Sequence, residues 1–193
     1  MNTTARPADP QLAAWSAELD AIERDVDALT TPLSDGQLTW RPAPGKWSIA
    51  ECLEHLSLTA EQGMVYQRKA VAAARAAGRA GSGPFRFGWL GNWFVQAVGP
   101  AASRRVKTPS IFAPPSDLDP KAVVERFHRV HQDIRRLYLE ADGLDLGRTK
   151  ARSAATGLLR LNLAAWFASM PAHDRRHLGQ MQRVRAHDAF PKA

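Results

Sequence analysis

The sequence predicts an all-α fold: a four-helix bundle with a long crossover between helices 2 and 3 that contains a short extra helix. Three observations carry this expectation. Four long stretches repeat apolar residues every three or four positions, which lays one buried stripe along each helix. Capping residues and prolines mark where those stretches begin and end. No convincing strand lies between them, so helix must pack on helix. At 193 residues the chain is long enough for a sizeable core. No internal repeat or low-complexity boundary divides it, so residues 1–193 are expected to form a single domain.

The first helix is expected from about Asp9 to Leu29, with Leu12, Trp15, Leu19, Ile22 and Val26 on its buried side. Thr30-Thr31-Pro32 stops it, because proline cannot continue the ladder and disfavours helix at the residue before it. The stretch from Trp40 to Lys46 is too proline-rich for regular structure. A capping box, Ser48-Ile49-Ala50-Glu51, opens the second helix, with Trp47 as the apolar residue before the cap, stapling against Cys52. Ile49, Leu53, Leu56, Ala60 and Val65 continue its stripe to about Ala77, and His55 shares the inward side. A buried imidazole there needs partners for its nitrogens.

From Gly78 to Asp117 glycines and prolines break the pattern, leaving a long connection with one short apolar helix at about Gly88–Val98. Asp119-Pro120 caps the third helix, which buries Val123, Phe127, Ile134 and Leu137-Tyr138 and ends near Glu140. A turn-rich, basic stretch reaches Arg152. Asn162 then caps the last helix, whose core side holds Leu163, Phe167, Met170, Leu178, Met181 and Val184. Pro171 is an anomaly: inside a helix it removes a backbone bond at a cost of about 3 kcal/mol. Either the helix bends there or it begins later.

The chemistry lies in the histidines. His173 and His177 are one turn apart, so both imidazoles project from one helix face. With His55 from a facing helix they would give a divalent metal three protein ligands and leave positions open for water or substrate. Glu51, one turn from His55, is a candidate fourth ligand or base, but the capping box already explains it. Asp174 is adjacent to His173 and so is expected to point elsewhere, toward the surface, with a supporting bond to a ligand histidine as the alternative. Cys52 has no basic neighbour to activate it and reads as an inert core thiol. His128, His131 and His187 carry no matching motif, although His131 suits the bundle axis. The tryptophans read as core and loop anchors.

These residues carry a family resemblance. The run from Trp40-Arg41-Pro42 through Pro44-Gly45-Lys46-Trp47-Ser48-Ile49-Ala50-Glu51 to His55-Leu56 resembles the N-terminal signature of the DinB-like superfamily. Lys107-Thr108-Pro109 with Phe112-Ala113-Pro114 resembles its connection before the third helix, and His173-Asp174, His177-Leu178 and Gln180 its closing motif. The resemblance implies a four-helix bundle, often dimeric, holding a divalent metal on His55, His173 and His177. It also implies metal-dependent thiol transfer or hydrolysis of a small-molecule substrate, with a low-molecular-weight thiol as a cofactor in some relatives. Arg104, Arg105 or Arg176 would be available to such a thiol's carboxylates. Zinc and nickel suit imidazole best, with iron and manganese as alternatives. A non-catalytic, metal-stabilised stress or binding protein is the competing class. Pro171 is the departure from the family pattern.

Composition narrows the classes further. The net charge is +7, but the basic residues are scattered and no nucleic-acid-binding motif accompanies them, which argues against a nucleic-acid partner. No apolar run approaches the roughly 20 residues of a membrane span. The amino terminus lacks the apolar core of a secretion signal, and a single cysteine excludes an internal disulfide framework. A cytoplasmic protein is the expectation.

Overall fold

Asp9 accepts hydrogen bonds from the amides of Gln11 and Leu12 at 2.9 and 3.2 Å, and so starts helix α1, Pro10–Thr30. The computed structural model describes residues 5–102 and 108–192. The remaining helices follow in chain order: α2 (Asp35–Thr39), α3 (Ile49–Ala76), α4 (Gly88–Val98), α5 (Pro120–Ala141) and α6 (Leu163–Arg185). A single 3₁₀ turn spans Ser110–Phe112. The four long helices and the short helix of the crossover agree with the sequence expectation. Each cap anticipated for them is formed: Ser48 with Glu51 on α3, Asp119 on α5 and Asn162 on α6.

Val65, expected on the buried stripe of α3, is exposed, and its neighbour Met64 is buried instead. Two elements also depart from the expectation. The five-residue α2 has its own capping box, Ser34 with Gln37, yet is too short to show a helical period. The turn-rich stretch before α6 contains a hairpin, β1 (Lys150–Arg152) pairing antiparallel with β2 (Arg160–Asn162). Three-residue strands give almost no alternation to read. They exist because Ala151 and Leu161 turn inward onto the bundle while Trp166 Nε1 donates to the Ala151 carbonyl at 3.0 Å.

The long helices pack as a ring in which α5 and α6 each lie between α1 and α3. The crossover, residues 77–119, is therefore what carries the chain from α3 to its neighbour α5. Its helix α4 lies along α6, and Gly91 permits the approach: a Cβ there would stand 2.9 Å from that of Ala165. The core divides into two halves. One gathers Leu19, Met64, Ile134 and Phe167; the other gathers Ile22, Leu53, Phe127 and Met181. Burying each such side chain stabilises the fold by about 1.5–3 kcal/mol.

Pro171 lies inside α6, not before it. Proline has no N–H for the carbonyl of Phe167, four residues back. The Tyr138 hydroxyl of α5 supplies the missing donor, reaching the Phe167 oxygen at 2.8 Å. A fully buried tyrosine on the neighbouring helix thus replaces the bond that proline removed.

Candidate metal centre

Three imidazoles meet between α3 and α6. His55 enters about two turns after the Ser48 cap, and His173 and His177 come from successive turns of α6 beyond Pro171. One nitrogen from each lies within 4.8 Å of the other two, and the Nε2 atoms of His173 and His177 are 3.2 Å apart. Ring centroids are separated by 5.2 Å for His55 and His173, 4.8 Å for His55 and His177, and 4.7 Å for His173 and His177. Among the described residues no other group of histidines, cysteines and carboxylates converges in this way.

The surroundings fix which nitrogens face inward. Nδ1 of His55 lies 2.8 Å from the carbonyl of Phe112. A carbonyl only accepts, so Nδ1 carries the hydrogen and Nε2 keeps its lone pair. The 3₁₀ turn of the crossover thereby sets the tautomer of a residue on α3. Trp47 covers the site from outside, its ring centroid 4.8 Å from that of His55 and 5.9 Å from that of His177. Arg176 donates to the Gly99 and Ala102 carbonyls at 3.3 and 3.2 Å, tying the crossover to α6 beside His177.

Burial also sets the charge. Desolvation pushes the pKa of all three imidazoles down, and the positive charge each would place on its neighbours lowers those of His173 and His177 further. Desolvation first, then His55 and Arg176, takes His177 to about 3, against a small opposing effect of Gln180. Nδ1 of His177 is buried without a hydrogen bond. Neutral imidazoles are the form that ligates metal, so no proton has to be displaced near neutral pH. The donor set also fits a cation by size. Metal–nitrogen bonds of about 2.0–2.1 Å separate two nitrogens at the tetrahedral angle by roughly 3.3 Å, close to the 3.2 Å between His173 and His177. His55, His173 and His177 could hold a metal ion, and their nitrogen-only donors suit zinc or nickel better than calcium or magnesium.

The other sequence candidates take different places. Glu51 closes the capping box, accepting from the Ser48 amide at 2.9 Å, and both its oxygens are held by Arg41 at 2.7 Å. Arg41 and the backbone bonds keep its carboxyl below the usual range against the effect of burial. It is a helix cap and does not join the imidazoles. Cys52 is fully buried and desolvation raises its thiol well above the normal range, as an inert core residue requires. His128 pairs with Glu23 and Asp27 on α1, and His187 packs on Trp40.

Asp174 corrects the surface expectation. It is buried, and its Oδ2 meets Nε2 of His131 at 3.2 Å across the bundle, while Nδ1 of His131 faces the Phe127 carbonyl at 3.1 Å. The helix does turn Asp174 away from His173, but that direction is the bundle interior. Two of the six tryptophans also depart from an anchoring role, since Trp89 and Trp93 on α4 are exposed. Arg104 and Arg105 lie outside the described residues. Two contributors escaped sequence reasoning. The Phe112 carbonyl is a main-chain atom that no motif marks, whereas Trp47, read as a staple for the core half that contains Cys52, also roofs the histidines.

No curated protein sequence matches this chain. The DinB superfamily pattern matches residues 18–181, a span that contains α3, α4, α5 and all three clustered histidines. The chain is a member of the DinB superfamily.

Proposed function

We propose that this protein binds a divalent metal through His55, His173 and His177 and works as a metal-dependent enzyme on a small-molecule substrate, by hydrolysis or by thiol transfer. The observation that carries the reading is the convergence of three imidazoles from α3 and α6, His55 and His177 buried and His173 half-buried, held neutral by desolvation. Family membership supports it. Zinc or nickel is the ion proposed, with iron or manganese as alternatives. When bound, such an ion with an open position lowers the pKa of a water, or ionises a thiol, so that a nucleophile exists at neutral pH.

The chain's own residues prepare the site. Phe112 fixes the His55 tautomer, Trp47 screens the cluster from bulk water, and Arg176 fastens the crossover beside His177. No carboxylate joins the imidazoles among the described residues. A metal-stabilised stress or binding protein without catalysis is the second reading, since the cluster and the family are compatible with metal binding alone. We also place the protein in the cytoplasm, on the strength of its single, buried cysteine.

Elemental analysis and equilibrium dialysis with zinc and nickel test the first step, with one tightly held ion per chain expected. Conjugation of low-molecular-weight thiols to electrophiles, and ester or amide hydrolysis, are then assayed with the loaded protein and with His173→Ala. Metal-dependent turnover lost in a folded H173A variant supports the enzyme. Metal that raises only the melting temperature supports the binding protein. Absence of stoichiometric metal under all conditions overturns both.

A further inference from the structure

A concave site apart from the histidines lies at the N-terminal end of α4. A groove of about 450 Å³ runs between the start of that helix and the hairpin, and Arg86, Trp89, Lys150, Arg160 and Asn162 are among its walls. Its charged residues are three cations from three separate segments; no aspartate or glutamate lines it. None of the three has an ion-pair partner among the described residues. The segments outside the description contain no aspartate or glutamate that could supply one.

Arg41, Arg68, Arg126, Arg135 and Arg175 are each matched by a carboxylate. At the hairpin the charges are instead stacked against each other: Arg152 stands directly opposite Arg160 in the register. Like charges across a strand pair destabilise it. A bound anion would offset that cost. The first turn of α4 has no side-chain cap, so its amides add to the positive field. Trp89, 80 % exposed, offers a free aromatic face at the rim.

We propose that this groove binds a phosphoryl group attached to an aromatic or apolar body. A carboxylate has two oxygens and one charge. A phosphate monoester presents three terminal oxygens and nearly two charges, which better matches two guanidinium groups and an ammonium. Trp89 takes the attached ring or chain. A second copy of this chain is a poor occupant, because a twofold contact centred here would oppose the same cations. The groove lies near Asn162, about 16 Å along α6 from His173 by helical rise. It is therefore a separate site, and the proposal does not rest on metal binding.

The test titrates phenyl phosphate and inorganic phosphate into the full chain at low ionic strength, followed by tryptophan emission and calorimetry. Saturable binding of one phenyl phosphate per chain is expected. Lys150→Gln and Arg160→Gln should each weaken it about tenfold or more. Trp89→Ala should weaken phenyl phosphate while leaving inorganic phosphate unchanged. Arg136→Gln, a cation elsewhere on the surface paired with Asp133, and His173→Ala should both bind as the parent does. Arg160→Gln should also melt slightly higher without ligand, since it relieves the cross-strand repulsion; this shows that lost binding is not lost folding. Several outcomes overturn the proposal: no saturation at millimolar ligand, equal affinity for phenylacetate, or affinity unaffected by both hairpin variants. Binding to phosphatidylglycerol vesicles that phenyl phosphate does not displace also overturns it, and assigns this face to a membrane surface.

Discussion

Tyr138→Phe removes one oxygen and tests how α6 tolerates Pro171. In the parent, the Tyr138 hydroxyl donates to the Phe167 carbonyl at 2.8 Å, the acceptor that Pro171 leaves without its helical amide. The tyrosine is fully buried, and burial pushes its phenol well above the ordinary range, so the hydroxyl remains a donor throughout the working pH range. Phenylalanine keeps the packing but leaves a buried carbonyl unpaired, a loss of about 1–3 kcal/mol. Pro171→Ala restores an N–H in register with the same carbonyl. In that background the hydroxyl is no longer the only donor, so Tyr138→Phe should cost about 1 kcal/mol less than in the parent. Urea unfolding of the four metal-free proteins measures the cycle. Because His173 and His177 follow Pro171 on the same helix, metal affinity of Tyr138→Phe should fall as well. If Tyr138→Phe costs less than about 0.5 kcal/mol, or the same in both backgrounds, the substitution of hydroxyl for amide is wrong.

Three further outcomes are expected. His55→Ala and His177→Ala should each reduce zinc affinity by about two orders of magnitude or more in equilibrium dialysis, whereas His131→Phe should keep the metal and lose stability by breaking the pair with Asp174. Glu51→Ala should cost about 1–2 kcal/mol by removing the cap while leaving metal stoichiometry intact; loss of metal instead would make Glu51 a ligand. The metal-free protein should lose stability as pH falls below about 6.5, where the unfolded chain takes up protons that the buried imidazoles refuse. For His177 that loss continues towards its folded value of about 3, and urea midpoints across this range would be flat if the histidines were solvated.

The amino-acid order determined the helices and their ends. Ser48, Asp119 and Asn162 act on amides two or three residues away, and the apolar spacing of α1, α3, α5 and α6 is a property of the chain alone. The three clustered histidines were legible for a similar reason: two lie one turn apart on one helix and the third sits in a recognisable motif. Tertiary structure decided everything that depends on which helix lies across from which. Only the fold could bring the Phe112 carbonyl, 57 residues on, to His55, or aim Asp174 at His131 instead of solvent. The compensation of Pro171 by Tyr138, and the meeting of Arg86 with Lys150 and Arg160, likewise join residues that share no local period. Local sequence fixes dihedral preferences through short-range sterics and hydrogen bonds; partners across a core are chosen by packing, which no single segment encodes.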